Sequence, residues 1–258
     1  MSQPRTYRTE AIVLRGVNLG EADRLLVLLT PGEGKLKAVV RGARRPTSKL
    51  GGHVEPLTYC LLMLARGRSW DILTGAEVLD SYLPLRGNLE RCGWACYCAE
   101  LVDFFAPEGQ ENRPLFELLR ATLTTLGEAQ DGEAVLRYFE LQLLGKLGYG
   151  PELRVCPLCR SPLSSPGAFS PALGGAVCPP CARGEKGTYR LSPQALRSLR
   201  ALQETGECST SSMSPAVVQE MRWVLEGYIR YILEREVKAA SFLDSIQAPG
   251  DSQKILSC

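Results

Sequence analysis

The chain has 258 residues, of which 45% are apolar and 22% are charged, a composition typical of a folded globular protein. This length allows a sizeable core and more than one domain. No apolar run reaches the roughly 20 residues of a membrane span, and the first residues lack the apolar core of a signal peptide. The sequence therefore predicts a cytoplasmic protein.

The net charge of +2 hides an uneven distribution. Residues 1–50 contain ten Lys or Arg and four acidic residues, a balance of +6. Residues 81–150 contain six basic and ten acidic residues, a balance of −4. A basic first segment indicates that any binding of polyanions is concentrated near the N-terminus.

The first 80 residues have the pattern of a β-rich domain. Short apolar runs with strand-favouring residues alternate with turns that contain Gly and Pro. Five short strands in about 75 residues predict a small closed barrel, and an OB-type barrel is the leading candidate. Such barrels bind oligonucleotides through a basic groove and exposed aromatic side chains. The predicted strands are 7–14, 24–29, 35–41, 57–64 and 70–79, with 16–20 as a turn-rich link.

From Asn88 onward the apolar residues recur at helical spacing, so the sequence predicts an α+β protein of several domains. Ser192 and Pro193 have the character of a helix cap and a first helical residue. The other predicted helices are 88 to about 107, 114–126, 132–147 and 215 to about 233. The predicted domains are an OB-type barrel at 1–82, a helical domain at 83–247 with a knuckle inserted at 152–187, and a disordered tail at 248–258.

The most specific signal is a pair of CxxC motifs. Cys156 and Cys159 are followed, after eighteen residues, by Cys178 and Cys181. This spacing predicts a four-cysteine Zn²⁺ site, in which each turn brings two thiolates to one ion. A complete sulfur shell leaves no position for water, so the site would be structural and not catalytic. Two disulfides, or unconnected cysteines, are the alternatives.

Signals for an enzyme are weak. The one histidine, His53, follows two glycines in a predicted loop, and no partner motif accompanies it. The segment 30–35 superficially resembles a phosphate-binding loop. Leu29 and Leu36 stand where that motif requires Gly and Ser or Thr, so we reject it. We expect no catalytic residues, although a zinc-containing nucleic-acid-processing enzyme and a structural RNA-binding protein remain alternatives.

The basic residues of the first domain are the more informative group. Four cations fall within nine residues, at Arg41, Arg44, Arg45 and Lys49, and two lysines precede them on one face of a predicted strand. Together they could neutralise several phosphates, although a solvated charge run is the simpler alternative. Without a recognition helix, contacts to the backbone imply little sequence preference. Three aromatic residues could stack on bases or pack in the barrel core: Tyr7, Tyr59 and Trp70.

Several segments resemble the RecO family of bacterial DNA repair and recombination mediators. The resemblance covers nearly the whole chain, is most specific in residues 11–57 and in the cysteine motif, and weakens after about residue 205. The matching segments are 11–14, 19–26, Thr30, 34–36, 42–49, 55–57, 144–149, the two CxxC motifs and 191–193.

The resemblance implies more than the residues do by themselves. It implies a non-enzymatic protein with an OB domain and a helical domain, which binds single- and double-stranded DNA and anneals complementary strands. It also implies cooperation with RecR, and with RecF, so that RecA replaces the single-strand-binding protein SSB, whose C-terminal tail is a partner. Zn²⁺ would be structural, one ion per chain. Carried over by position, the family's DNA-binding surface falls on Arg24, Lys35, Lys37, Arg41, Arg44, Arg45 and Lys49.

Overall fold

The computed structural model describes residues 5–46, 48, 50–204 and 213–247. The chain divides into two compact units. The first unit contains the described parts of 1–129 and 238–258, and the second contains those of 130–237. The helices that follow residue 82 therefore begin within the compact unit that holds the barrel. The tail at 248–258, for which disorder is predicted, lies outside the described residues.

Five strands form a closed barrel in the order β1-β2-β3-β5-β4, which confirms the predicted OB-type architecture. All neighbouring pairs are antiparallel except β3 and β5, which run parallel. The strands are β1 (Thr6–Leu19), β2 (Asp23–Thr30), β3 (Gly34–Val40), β4 (Tyr59–Ala65) and β5 (Asp71–Asp80).

The barrel interior follows from the two-residue period of its strands. Alternate apolar side chains point inward along each strand and are almost completely buried. β2 is buried on both faces over its second half, and its sequence is correspondingly a continuous apolar run rather than an alternating one. The interior residues are Ala11, Val13, Leu26, Leu28, Ala38, Val40, Val54, Cys60, Leu62, Leu64 and Leu73.

Eight helices are present in the described residues, and several begin where the sequence supplies a cap. The side chain of Asn88 accepts a hydrogen bond from the backbone N–H of Arg91, and that of Asn112 accepts one from Leu115. The helices are α1 (Leu83–Arg86), α2 (Leu89–Phe105), α3 (Arg113–Glu128), α4 (Glu133–Lys146), α5 (Pro179–Ala182), α6 (Pro193–Glu204), α7 (Pro215–Leu233) and α8 (Lys238–Gln247).

In the first unit, α2 packs on β1 and α8 packs on α2. Gly93 of α2 makes the second contact close, because a Cβ at this position would lie 2.8 Å from the side chain of Leu243. The carboxylate of Glu100 accepts hydrogen bonds from the backbone N–H groups of Lys238 and Ala239. A carboxylate at the start of α8 satisfies helical donors that would otherwise lack a partner.

The second unit contains α4, α5, α6, α7 and a short hairpin. The hairpin strands are β6 (Ala168–Ser170) and β7 (Gly175–Val177), which pair antiparallel. The ring of Phe169 packs edge-on against Tyr228 of α7, with 5.5 Å between the ring centroids. This contact attaches the cysteine-containing segment to the long helix of its own unit.

The structure differs from the sequence expectation at several element boundaries. Residues 16–20 are predicted as a link, but β1 continues to Leu19 and pairs with β2 down to Asp23. Gly16 is accommodated inside the strand, opposite Leu26. The chain turns only at 20–22, where Gly20 adopts a φ of +58°. The helices α1, α5 and α8 and the hairpin β6–β7 are additional elements, which the sequence analysis did not predict.

Candidate nucleic-acid interface and metal centre

The four predicted metal ligands come together in the second unit. The sulfur atoms of Cys156, Cys159, Cys178 and Cys181 all lie within 4.8 Å of one another. The sulfurs of Cys159 and Cys178 are 3.7 Å apart. Tetrahedral coordination with Zn–S bonds of about 2.3 Å requires sulfurs about 3.8 Å apart, so this donor set fits one Zn²⁺ ion.

Local structure explains why the two CxxC motifs can converge. The first motif is a tight turn, in which the backbone N–H of Cys156 donates to Ser161 and its carbonyl accepts from Arg160. The second motif opens α5, and the N–H of Ala182 donates to the carbonyl of Cys178. The hairpin β6–β7 lies between the motifs and returns the chain, so both turns face the same point.

The thiols of the first CxxC motif lie in an environment that favours thiolate, whereas hydrogen bonding with Cys178 raises the pKa of Cys181 to about 12. Burial raises the pKa of the Cys156 thiol, but backbone N–H groups of Cys159, Cys178 and Leu158 direct hydrogen bonds at its sulfur and lower that pKa to about 6. Hydrogen bonds from the backbone and side chain of Ser161 likewise lower the pKa of Cys159. Backbone donors of this kind stabilise thiolate, the form that binds a metal ion.

Three of the predicted DNA-binding cations lie together on one exposed turn after β3, at Arg41, Arg44 and Arg45. We call these three residues the arginine turn. The guanidinium of Arg44 donates to the carbonyls of Gly20 and Glu21, both at 3.1 Å. The arginine turn therefore lies against the turn between β1 and β2, one of the two loops that flank the binding face of OB barrels.

The backbone of the arginine turn is also fixed. The N–H of Gly42 donates to the side chain of Asp23 at 2.8 Å, and the N–H of Arg44 donates to the carbonyl of Ala22 at 2.9 Å. Gly42 has a φ of +65°, which glycine adopts without strain. These contacts fix the backbone of the turn and leave all three arginine side chains exposed.

The other predicted cations have different positions. Arg24 is half-buried and forms an ion pair with Glu55 at 2.9 Å. Lys49 lies outside the described residues. Lys37 pairs with Glu108 at 2.5 Å. Lys35 lies at the start of β3, six residues and about 20 Å along the strand from Arg41.

The position of Lys35 on the strand predicts that it belongs to an exposed basic face. The structure shows that it does not. Its side chain is 10% exposed, and its ammonium group lies 3.5 Å from the carboxylate of Asp103 in α2. The same carboxylate accepts a hydrogen bond from Arg15 at 2.6 Å. Lys35 thus joins β3 to α2 inside the first unit.

The three candidate stacking residues separate into two groups. The hydroxyl of Tyr7 donates a hydrogen bond to Asp71, and that of Tyr59 donates one to Glu10. Burial and these carboxylates raise the pKa of both phenols, and the pKa of Tyr59 is raised to about 12. Trp70 is 39% exposed, in the loop between β4 and β5. Of the three, Trp70 has the exposure that base stacking requires.

The loop between β4 and β5 also contains cations that the sequence interpretation did not include. Arg66 packs over the ring of Tyr7, 4.4 Å from its centroid, and pairs with Glu33 at 2.9 Å. Arg68 is exposed two residues before Trp70. The pair of basic residues flanking a glycine next to an exposed tryptophan is the signal that could have identified this loop.

The chain thus combines an OB-type barrel, which carries an arginine turn, with a later helical unit that holds a four-cysteine cluster. This combination defines its class: an OB-barrel protein with a four-cysteine helical unit. The family description "Recombination protein O N terminal" matches residues 1–82, and "Recombination protein O C terminal" matches 86–240. The chain belongs to the RecO family.

Individual relatives agree with the family match over nearly the full length. A DNA repair protein RecO of Roseiflexus sp. (strain RS-1) is 43% identical over 94% of this chain and 87% of the relative. A DNA repair protein RecO of Dehalococcoides mccartyi (strain BAV1) is 38% identical over 96% of this chain and 98% of the relative. This chain is thus a DNA repair protein of the RecO family. Among the described residues, no helix is both long enough and apolar enough to cross a bilayer.

Proposed function

We propose that this chain is a recombination mediator that binds single- and double-stranded DNA with little sequence preference and anneals complementary strands. The observation that carries the proposal is the arginine turn, which presents Arg41, Arg44 and Arg45 beside the β1–β2 loop of an OB barrel. Arginine binds phosphate oxygens through paired donors. Contacts of this type hold the DNA backbone and do not depend on base sequence.

The β4–β5 loop is the second loop that flanks the binding face in OB barrels, so it is the second candidate for contacts with DNA. The pairing of Ala38 with Asp71 places the end of the β4–β5 loop beside the middle of β3. Arg68 and Trp70 of that loop can therefore supply one further phosphate contact and one stacking surface. Lys35, held by Asp103, has no part in the proposed surface.

Annealing follows from the same electrostatics. Two complementary strands repel each other through their phosphates, and cations on one surface reduce that repulsion when both strands approach it. In the cell we expect the chain to act at the nucleoid with RecR, and with RecF, in loading RecA onto DNA covered by SSB. The cysteine cluster holds one Zn²⁺ ion that stabilises the second unit and takes no part in the chemistry.

An annealing assay tests the proposal. Two labelled complementary oligonucleotides are mixed with wild-type protein or with the triple variant Arg41→Ala/Arg44→Ala/Arg45→Ala, and duplex formation is followed in time. The proposal predicts that the triple variant anneals at least tenfold more slowly, while Arg113→Ala, at an exposed arginine of α3, matches wild type. Equal rates for the triple variant and wild type would contradict it.

The proposed partners need a separate experiment. Immobilised wild-type protein is incubated with RecR or SSB, with and without a single-stranded oligonucleotide. The proposal predicts that both proteins are retained without DNA.

The alternative of a zinc-containing processing enzyme has its own test. Strand cleavage that disappears when a chelator is added would indicate such an enzyme.

A further inference from the structure

A row of aromatic side chains lies on the exposed side of α7 in the second unit. Trp223 and Tyr231 are 59% and 55% exposed. They are eight residues apart, which is just over two helical turns and about 12 Å along the axis. Two large rings at this exposure on one helix face form a surface that packing inside the unit does not account for.

A third ring lies between these two. A Cβ at Gly227 would lie 2.2 Å from the ring of Tyr189, so the missing side chain is what allows that ring to rest directly on the helix. Tyr189 is fixed by the hairpin of its own unit, because its N–H and carbonyl both bond to Phe169 at 2.8 Å. We call Trp223, Tyr189 and Tyr231 the aromatic row.

Cations border the aromatic row. Tyr189 lines two adjoining depressions, one of about 310 Å³ shared with Tyr231 and one of about 370 Å³ shared with Trp223. The first is also lined by Lys186 and Arg230, and the second by Arg190, all three of which are exposed.

One acidic residue, Glu220, lines the second depression. Its carboxylate accepts hydrogen bonds from the backbone N–H and the hydroxyl of Ser192, at the start of α6. This carboxylate is therefore already engaged by donors of its own unit. The charges that border the aromatic row remain predominantly positive.

We propose that the aromatic row is a second binding surface for single-stranded nucleic acid, separate from the barrel. Flat, half-exposed rings offer stacking faces to bases of any sequence, and cations beside them can neutralise phosphates. The axial rise of about 12 Å between positions 223 and 231 equals about three to four base steps at the roughly 3.4 Å per nucleotide of a stacked strand. The same cations could also attract an acidic peptide, and the experiment below distinguishes that occupant from nucleic acid. The inference goes beyond the proposed function, which places DNA on the barrel.

The test compares two double variants of the full-length chain. Trp223→Ala/Tyr231→Ala removes the outer rings, Trp223→Phe/Tyr231→Phe keeps stacking faces, and Tyr149→Ala removes an exposed aromatic ring elsewhere in the unit. Binding of a fluorescein-labelled 15-mer of deoxythymidine is measured by anisotropy, and Tm is measured for every variant. We expect the alanine variant to bind at least tenfold more weakly at unchanged Tm, and the other two to bind within threefold of wild type.

A variant of the arginine turn distinguishes failure of the second surface from failure of the proposed function. The variant Arg44→Ala/Arg45→Ala is measured in the same assay. Weaker binding in the aromatic variant supports the inference whether or not the arginine variant also loses affinity. Weaker binding in the arginine variant alone overturns the inference and leaves the proposed function intact. Unchanged affinity of the aromatic variant for the oligonucleotide would also overturn the inference. If the aromatic variant then lost binding to an Asp-rich peptide with the same net charge as the oligonucleotide, the surface would be assigned to an acidic protein.

Discussion

The ammonium group of Lys35 on β3 lies 3.5 Å from the carboxylate of Asp103 on α2, and the two side chains are only 10% and 12% exposed. Arg15 on β1 shares the same carboxylate at 2.6 Å. A charge held at such burial needs its partner, because neither water nor salt can replace it effectively. The carboxylate of one helix thus forms ion pairs with cations from two barrel strands.

Replacing Asp103 by Ala should destabilise the first unit strongly. The substitution leaves Lys35 nearly buried without a counter-charge, which costs about 3 kcal/mol. Thermal unfolding would show the loss as a Tm lowered by several degrees. Glu108→Ala is the matched control, because the Lys37–Glu108 pair is more exposed and contributes less than about 1 kcal/mol. Equal Tm values for the two variants would contradict this account.

A second prediction concerns the turn between β2 and β3. Gly34 has a φ of +64°, and a Cβ there would lie 1.9 Å from the carbonyl oxygen of Gln110. Gly34→Ala therefore combines an unfavourable φ with a backbone clash, and we expect a loss of more than about 2 kcal/mol in chemical denaturation. Gly32→Ala, in the same turn, meets nothing within 4 Å and should stay within about 1 kcal/mol of wild type. A small loss of stability in Gly34→Ala would contradict the close approach of the Gln110 carbonyl to Gly34.

The cysteine cluster gives a third prediction. Purified wild-type protein should contain about one Zn²⁺ per chain by elemental analysis, and Cys178→Ser should lose most of it. Because metal binding contributes to folding, we expect the Tm of that variant to fall by more than about 5 °C. Cys96→Ser, at an exposed cysteine outside the cluster, should keep both metal and Tm. Wild-type protein with far less than one ion per chain would remove the metal centre from this account.

Much of the barrel and of the cysteine cluster could be predicted because their signals are local. In β3, for example, apolar residues alternate with lysines, and this pattern puts Leu36 and Ala38 on the inner face of the strand. The CxxC spacing makes each half of the cluster a single turn, and the structure confirms that both halves converge.

The position of Lys35 shows where local signals fail. A lysine that alternates with apolar residues has the same sequence pattern whether its side chain is exposed to water or paired with a buried carboxylate. Its partner Asp103 is 68 residues away along the chain, in the helix that is predicted from 88 to about 107. Only tertiary packing distinguishes the two cases, so the predicted basic face of β3 could not be tested by periodicity.

We propose that the arginine turn holds DNA phosphates, and the salt dependence of binding tests this most directly. The affinity of wild type, Arg44→Ala/Arg45→Ala and Lys35→Met for a single-stranded oligonucleotide is measured from about 50 to 200 mM salt. Two lost phosphate contacts should reduce the slope of log K against log salt by about 1.4 in the arginine variant, at about 0.7 per contact. Lys35→Met should keep the wild-type slope, because this lysine is nearly buried and already paired with Asp103. An unchanged slope in the arginine variant, or a reduced slope in Lys35→Met alone, would contradict the proposed surface.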